Sequence, residues 1–455
     1  MPFETHIVIF CNEPKEVPPG IELVVGLPIQ NPRSLSFAHK RIFADRANDY
    51  DLFIFSEDDI LITETNIRAF LQSCAIMHEN EIPGFLLKEI GPDGNLNYPQ
   101  AHGQFHWDPS SVRRRGDETF AFFTNEHAAS YILTRIHLQR AIASGGFLLP
   151  PYEDRYDMLC TAATDPYTRC GFKKLICVSR LDEFSLHHLP NKYIGKFGVS
   201  GQVLQRQVDA LIRIAQNGEV PASLFPSETK LMGTPYSKNY YEPVKEEIAS
   251  LISSSTRSVL SVGCGWGATE AWIAKRGLRV VAVPMDPVIS SEVEGAGVEL
   301  VNGDLEKVVE QLAGQRFDCL LMLNMLHLIE DPAALLRSFS GLLSNHCQVI
   351  VTVPNFSSIS VRWKRMRRDP RLQPLGRYEA SGVHITSHRV LRGWFRDASL
   401  EVGEFIDLVP KRAEKVQRMT LNMISSLLAS EIIVVGKKAP TMYPAFETSS
   451  RTTAI

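Results

Sequence analysis

Two groups of residues in this chain have the types and spacing that chemistry requires. The first is SEDD, residues 56–59, in which three carboxylates follow the apolar run LFIF. Adjacent carboxylates repel one another and are costly near a core unless a positive charge compensates. These acids are therefore either a solvated turn at a strand end, close to a helix cap, or the ligands of a divalent cation.

The second group is the glycine-rich stretch SVLSVGCGWG, residues 258–267. A strand-like run enters a loop that contains Gly263, Gly265 and Gly267, and a helical pattern follows. Glycine permits a tight turn and lets a ligand lie against bare backbone. A glycine-rich turn between a strand and a helix also fits a dinucleotide site, so the segments around it must decide.

The elements that must position these residues alternate between strands and helices in both halves of the chain. In the first half we predict strands at HIVIF, IELVVGL and DLFIF, helices at SLSFAHKRIFADRA and NIRAFLQSCAIMH, and loops over residues 91–118. In the second half we predict strands at SVLSVG, RVVAVPM, VELVNG, DCLLMLN, QVIVTVP, EVGEFIDLV and SEIIVVGKK, with helices at 242–252, from Thr269 and at 332–343. This alternation predicts α/β sheets, whose sites gather at the carboxyl ends of strands.

Residues 236–438 resemble the class I S-adenosylmethionine-dependent methyltransferases, which have a Rossmann-like fold. VLSVGCGWG is similar to their first motif, VNGDLE to the segment whose Asp reaches the adenine, and FDCLLMLNMLHLIEDP to their fourth-strand motif. VTVPNF is similar to the fifth-strand exit of the subgroup that methylates small-molecule oxygens. The resemblance implies that S-adenosylmethionine is bound by Gly263, Gly265, Gly267, Asp304 and Asn324.

Two positions depart from the pattern of that family. Ser261 stands where an acid is usual, and Pro284 stands where an acid commonly grips the ribose hydroxyls. Asp286, two residues further on, is the candidate substitute. Because a lost charge-assisted hydrogen bond costs ~1.5–3 kcal/mol, these departures weaken binding without necessarily abolishing it.

Methyl transfer needs the donor, the acceptor oxygen and a base held in line. His327 and His384 are the candidate bases, although a lone histidine is more often structural. Tyr240 and Tyr241 precede the first helix of this half, where the resemblance implies a cover over the cofactor. The alternative for both tyrosines is ordinary packing.

Residues 5–197 resemble, in patches, the GT-A fold glycosyltransferases with their DxD-type motif. YDLFIFSEDDILIT is similar to the strand and acids of that group, and GFKKLICVSRLDEFSLHHLPNKY is similar to its closing strand. The resemblance implies a nucleotide-sugar site with Mn²⁺ or Mg²⁺. Glu57 and Asp59 would be the paired ligands, and either His187 or His188 would complete the shell, because neighbouring side chains on a strand point to opposite faces.

The segment PPYEDRYDM, after a glycine-led turn, resembles the acceptor side of the same enzymes. The resemblance implies that Asp154, or else Glu153 or Asp157, deprotonates the acceptor hydroxyl. The spacing is one residue longer than usual, which leaves the assignment open. The alternative is a surface turn after two prolines.

The basic stretch RWKRMRRDPR, residues 362–371, lies between the fifth strand and the His384 segment. A solvated helical face is the simplest interpretation. Contact with the phosphate of an anionic acceptor, or with a lipid head group beside Trp363, is the alternative. RNA binding is less favoured because no stacking motif accompanies the charge.

Bulk properties fit a two-domain enzyme of the reducing cytoplasm. The chain has 455 residues, 44% of them hydrophobic, a formal net charge of -3 and eight cysteines without a CxxC pair. We predict a glycosyltransferase-like domain over 1–197, a helical connector over 198–235, a methyltransferase-like domain over 236–438 and a frayed tail over 439–455. No apolar run approaches the twenty residues of a membrane-spanning helix.

The combined hypothesis is a bifunctional transferase that acts on a glycan or a lipid-linked glycan, as in surface polysaccharide synthesis. One alternative is a glycosyltransferase with a non-catalytic methyltransferase-like module. Another is a small-molecule O-methyltransferase with a non-catalytic sugar-binding domain. The lack of a basic surplus argues against nucleic acid as a partner, and any membrane contact is expected to be peripheral.

Overall fold

The computed structural model describes residues 3–100, 105–218, 226–419 and 423–438. The predicted tail, 439–455, lies outside the described residues, and so does part of the predicted connector, 219–225.

The strands of the described residues are β1 (Ile7–Cys11), β2 (Ile21–Val25), β3 (Leu52–Ser56), β4 (Ile60–Leu61), β5 (Glu81–Pro83), β6 (Leu86–Ile90), β7 (Leu96–Tyr98), β8 (Trp107–Arg115), β9 (Glu118–Phe123), β10 (Ser130–Thr134), β11 (Lys173–Cys177), β12 (Ser185–His188), β13 (Val199–Ser200), β14 (Ser258–Cys264), β15 (Arg279–Pro284), β16 (Val298–Leu300), β17 (Phe317–Leu323), β18 (Leu343–Pro354), β19 (Leu400–Leu408) and β20 (Glu431–Lys438).

The α-helices of the same residues are α1 (His39–Asp45), α2 (Glu64–Cys74), α3 (Arg135–Ala143), α4 (Met158–Thr168), α5 (Gly201–Asn217), α6 (Glu246–Leu251), α7 (Ala268–Lys275), α8 (Leu305–Gln311), α9 (Pro332–Ser340), α10 (Ile359–Met366), α11 (Tyr378–Ser381), α12 (His388–Asp397), α13 (Glu414–Met419) and α14 (Ser425–Leu428).

The second half is built on a seven-stranded sheet in the order β16-β15-β14-β17-β18-β20-β19. The first five strands of that order run parallel, whereas β20 is antiparallel to both of its neighbours. All seven predicted strands are confirmed. Four of the five parallel strands are largely buried and read as near-continuous apolar runs, which makes them easy to recognise. The strand order reverses between β14 and β17, and open sheets bind ligands beyond the carboxyl ends of strands at such a point.

The first half contains several separate sheets of two to five strands. Its described strands form a parallel pair β1-β2, an antiparallel pair β10-β3, and sheets in the orders β5-β11-β9-β8 and β13-β7-β6-β12-β4. Mixed α/β structure is shown, whereas a GT-A domain is not. The loops predicted over 91–118 are partly wrong, because β8 and β9 form a hairpin that buries Trp107 completely.

Helix α5 joins the two halves. The prediction that this segment is helical is confirmed, and the helix packs against both halves. On one side Gln207 accepts a hydrogen bond from the Trp107 indole at 2.9 Å. On the other side Arg206 pairs with Glu292 at 2.6 Å. The domain boundaries at 197 and 236 stay a prediction. None of the described helices combines the length and apolar character that crossing a bilayer requires.

Candidate functional site

The glycine loop after β14 forms one wall of a pocket. Gly263 and Gly267 have φ angles of +81° and +78°, which residues with a Cβ rarely adopt. Gly265 lies against the backbone of Tyr240, whose carbonyl accepts the Trp266 N–H at 2.8 Å, and a Cβ at Gly265 would overlap that carbonyl. The loop is therefore held tightly against the segment that precedes α6.

That segment forms the opposite wall and carries opposite charges. The buried Lys238 ammonium donates to the Leu323 carbonyl at 2.7 Å and lies 3.5 Å from a Glu242 oxygen. Burial of Glu242 raises its pKa, but Lys238, Lys245 and the Asn324 amide lower it, and the net shift is downward. Glu242 is therefore a carboxylate at neutral pH, and it lines the pocket together with Lys238 and Leu323.

A second carboxylate reaches the pocket from α7. The Ser261 hydroxyl donates to Glu270 at 2.6 Å, and both side chains are buried, at 1% and 4% exposure. The acid that is missing at Ser261 is thus replaced in space by an acid nine residues later. Sequence reasoning missed Glu270; its position one turn into α7, on the face toward the strand, is the signal that could have found it.

The other two residues predicted to bind the cofactor differ in placement. Asn324 follows β17, has a φ of +48°, and donates its amide to Glu242 at 2.9 Å, so it lies at the pocket. Asp304 precedes α8, is about half exposed, and pairs with Lys307 at 3.3 Å. Both assignments to the cofactor stay predictions.

Both carboxylate oxygens of Asp286 accept backbone hydrogen bonds that the sequence did not indicate. One of its oxygens accepts the N–H groups of Val288 and Ile289, at 2.7 and 3.2 Å, and the other accepts the Trp107 N–H at 3.1 Å. His106 lies 3.5 Å from the same oxygen. Asp286 thus caps a turn and ties the two halves together. This geometry does not favour a role at the ribose, which stays an untested prediction.

The two tyrosines before α6 are packed, as their alternative interpretation has it. Tyr240 is almost fully buried and stacks on His106 at 4.7 Å between ring centroids. The Tyr241 hydroxyl accepts from the Gln207 amide at 3.2 Å. Tyr240 nevertheless lines the pocket, so packing and cofactor contact are compatible there.

The two candidate bases lie side by side. The backbone N–H of His384 donates to the backbone carbonyl of His327 at 2.8 Å. The His327 Nε2 must donate to the Tyr236 carbonyl at 2.8 Å, so its lone pair is at Nδ1, for which the described residues provide no hydrogen-bond partner. Burial lowers the pKa of His327 to about 4, which keeps the ring neutral at pH 7.

His384 is tied to the chain by the same kind of bond. Its Nε2 lies 2.8 Å from the Ile329 carbonyl, and its ring stacks on Tyr378 at 4.6 Å. A carbonyl oxygen only accepts, so Nε2 carries the proton. Its Nδ1 is therefore the basic atom of the ring.

In the first half, the acidic side chains of the turn after β3 alternate between partly buried and exposed positions. Glu57 and Asp59 are half-buried, and Asp58 between them is exposed. Asp59 lies 3.3 Å from the His188 Nε2, and Glu57 lies 3.8 Å from the His127 Nε2. The structure thus brings Glu57 and Asp59 to a pair of buried histidines, of which His127 was not identified from the sequence.

The predicted metal ligands do not assemble into one set. His188 and His187 point to opposite faces of β12, and His187 is bonded to Asn191 at 3.1 Å. The His188 Nδ1 is engaged by the fully buried Glu89 at 2.7 Å. Within the described ranges, no group of three or more His, Cys, Asp or Glu side chains is arranged to hold a metal ion. The residues do not fit the divalent cation that the resemblance implied.

The predicted acceptor base lies on the surface. Asp154 is 57% exposed and pairs with Arg169, and Glu153 is exposed. Asp157 instead caps α4 by accepting the Cys160 N–H at 3.1 Å. The described ion pairs and hydrogen bonds of Asp154 do not connect it with Glu57 or Asp59, so a shared acceptor site stays a prediction.

Comparison with known proteins concerns the second half of the chain. The family model "MetW: Methionine biosynthesis protein MetW" matches residues 243–432. A ubiquinone biosynthesis O-methyltransferase of Pseudomonas paraeruginosa is 29% identical over 158 residues, which are 33% of this chain and 68% of that protein. These matches agree with the seven-stranded sheet and the glycine loop. The second half has the class I methyltransferase fold.

Two further comparisons are as follows. A ubiquinone biosynthesis O-methyltransferase of Xylella fastidiosa is 25% identical over 201 residues, 42% of this chain and 81% of that protein. A solved methyltransferase structure from Mesorhizobium loti is 16% identical, with a TM-score of 0.33 over 42% of this chain and 96% of that one. The family model covers no part of residues 1–242, so the glycosyltransferase resemblance of the first half is not confirmed.

Proposed function

We propose that the methyltransferase half transfers a methyl group from S-adenosylmethionine to a hydroxyl oxygen of a small molecule or glycan. The observation that carries this proposal is the pocket between the glycine loop and residues 238–242, with two carboxylates in its wall. The sulfonium and the α-ammonium of the donor are cations, and carboxylates in a partly dry pocket attract them strongly. The donor set therefore fits this cofactor.

Different residues are assigned to cofactor binding and to proton transfer. S-adenosylmethionine supplies an electrophilic methyl group when it is bound. The bare backbone of the glycine loop allows close approach of the ligand, and Glu270 with Glu242 provides negative charge. His327 accepts the proton of the acceptor hydroxyl at Nδ1, and His384 supports it through the backbone bond between them.

The experiment that tests this function is calorimetry with S-adenosylmethionine and with its demethylated product. Wild-type protein is expected to bind both. His327→Ala is expected to keep the binding and to lose about 100-fold or more in methyl transfer to a hydroxyl acceptor, since general base catalysis contributes 10²–10⁴-fold. The absence of any heat or thermal shift with either ligand would remove the proposal and favour a non-catalytic module.

For the first half we propose, as a second function, the binding of a nucleotide sugar and transfer of its sugar. The support is the sequence resemblance, together with Glu57 and Asp59 turned inward beside two histidines. Because no metal set is assembled, no step is assigned to a metal. A glycan acceptor shared by both halves would benefit from the raised local concentration that tethering gives.

A panel of nucleotide sugars tests this second function, with and without Mn²⁺. The measured quantity is released nucleoside diphosphate, because water serves as a slow acceptor. Asp59→Ala is expected to abolish the release and to leave methyl transfer unchanged. Release that is equal in wild type and Asp59→Ala would assign the first half to a non-catalytic role.

A further inference from the structure

Helix α10 turns an apolar face outward. Ile359, Trp363 and Met366 are spaced four and three residues apart and therefore share one face of the helix. Their exposed fractions are 59%, 48% and 74%, whereas Val361 on the opposite side is 6% exposed and anchors the helix. A helix on a monomer surface ordinarily buries its apolar face, so this stripe marks an interaction surface.

Basic side chains surround this apolar stripe. Arg362, Arg365, Arg367 and Arg368 are exposed, and the Arg367 guanidinium lies 3.6 Å from the centroid of the Trp363 ring. Residues 359–368 contain no acid, and Asp369 is neutralised by Arg371 at 2.7 Å. The surface thus combines apolar contact area with uncompensated positive charge.

A second exposed apolar element lies beside α10. Met423 and Leu427 are 85% and 36% exposed, and α14 packs against α10. The Asn355 side chain, between β18 and α10, holds α14 in place, since its amide donates to the carbonyls of Ser426 and Ala429 at 2.7 and 3.0 Å. We call the exposed side chains of α10 and of residues 423–428 the basic apolar surface.

The position of this surface relates it to the pocket. Helix α10 begins five residues after Pro354, at the carboxyl end of β18. At the same end of the sheet, the backbone N–H of Asn324 donates to the Thr352 carbonyl at 3.0 Å. The basic apolar surface therefore lies at the edge of the sheet where the cofactor pocket lies.

We propose that the basic apolar surface docks on an anionic lipid bilayer, with Trp363, Met366 and Met423 in the interface and the arginines on lipid phosphates. Arginine and lysine beside exposed aromatic and aliphatic side chains are the composition of helices that lie on such membranes. A symmetric dimer through this surface is disfavoured, because it would bring the same arginines face to face. The proposal does not depend on methyl transfer.

Sedimentation with vesicles tests the docking. We expect wild-type protein to bind vesicles of phosphatidylcholine with phosphatidylglycerol, weakly or not at all those of phosphatidylcholine alone, and to be released by salt. Arg362→Glu with Arg365→Glu should weaken partitioning about 30-fold or more, since each basic residue contributes near an anionic surface. Trp363→Gln with Met366→Gln should weaken it about tenfold.

Matched controls separate this surface from the rest of the chain. Lys196→Glu with Lys275→Glu makes the same charge change at exposed positions elsewhere, and Ile136→Gln removes another exposed apolar side chain, 66% exposed. These variants should bind vesicles as wild type does. The proposal is overturned if wild type ignores anionic vesicles at low salt, if the controls lose as much binding as the α10 variants, or if sedimentation velocity without lipid shows a dimer that the α10 variants abolish. Thermal unfolding of every variant checks that the fold is kept.

Discussion

The pocket of the methyltransferase half and the acid turn of the first half both contain carboxylates close to the core, but these carboxylates have different partners. In the pocket, two buried carboxylates face a lining that also contains bare glycine backbone and a lysine. In the first half, His188 lies between Asp59 and Glu89, at 3.3 and 2.7 Å, so both nitrogens of its ring are already engaged within the protein. Glu242 is already paired with Lys238 and Lys245. Glu270 accepts the Ser261 hydroxyl and forms no ion pair among the described residues, so it is the carboxylate available to a cationic ligand, whereas the His188 ring already occupies the space between the two acids of the first half.

The largest expected effect comes from a side chain in the glycine loop, and it tests whether this loop forms the cofactor site. Gly265→Val would place its Cβ closer to the Tyr240 carbonyl oxygen than two non-bonded atoms can approach. The backbone must therefore move, and the loop separates from residues 238–242. We expect loss of S-adenosylmethionine binding beyond calorimetric detection. Gly376→Ala is the control, because a Cβ there meets nothing within 4 Å. Wild-type affinity in Gly265→Val would show that the ligand lies elsewhere.

The neighbouring histidines of β12 test whether the first-half network is structural. His188→Ala leaves the fully buried Glu89 without its imidazole partner, and a buried group left without a hydrogen-bond partner costs about 1–3 kcal/mol, or more when it is charged. His187→Ala, on the other face of the strand, removes one bond to Asn191 and should cost about 1 kcal/mol. Denaturant unfolding measures both. Equal costs would contradict a buried network centred on His188.

A substitution at Glu270 tests whether a buried carboxylate of the pocket contributes to cofactor affinity. Glu270→Gln removes the charge and keeps the shape, and we expect tenfold to hundredfold weaker binding of S-adenosylmethionine, or ~1.5–3 kcal/mol. Adding Ser261→Asp restores a carboxylate at the same place and should recover much of the affinity. The exposed Glu246→Gln is the control. Unchanged affinity in Glu270→Gln would reduce Glu270 to a packing residue.

The contrast between the halves also explains what the sequence could predict. The seven strands and the glycine loop of the second half follow from contiguous apolar runs and local motifs, so their prediction is confirmed. Glu270 was missed because it compensates for Ser261 only in three dimensions. The engagement of Asp286 was missed for the same reason, since its partner Trp107 is 179 residues away.

The first half was harder because its strands are short and belong to several small sheets. The motif around Glu57 and Asp59 predicted metal ligands, and that assignment stays a prediction; the pattern contains no information about Glu89, which lies 2.7 Å from the His188 ring. A linear ligand pattern assumes that the side chains are free to bind a metal. Pairing within the fold removed that freedom.

A last prediction is a pH dependence that compares the partly buried His137 of the first half with the buried His327 of the second. Burial lowers the pKa of His137 to about 4 and that of His327 to about 4, below the ordinary value of about 6.5. Around His327, Lys238 and His384 add to this lowering, whereas the Tyr236 carbonyl and Glu242 oppose it. Between pH 6.5 and 4 the unfolded chain therefore binds more protons than the folded one.

Stability must consequently fall as the pH falls through that window, by about 1.4 kcal/mol per pH unit for each histidine kept neutral. His327→Gln and His137→Gln should each flatten the dependence of the unfolding free energy on pH between 6.5 and 4. If His327 is also the base, methyl transfer in wild type should persist below pH 6, where an ordinary histidine would already be protonated. A transfer rate that falls with an apparent pKa near 6.5 would instead assign the proton to a more exposed group and leave His327 a structural role.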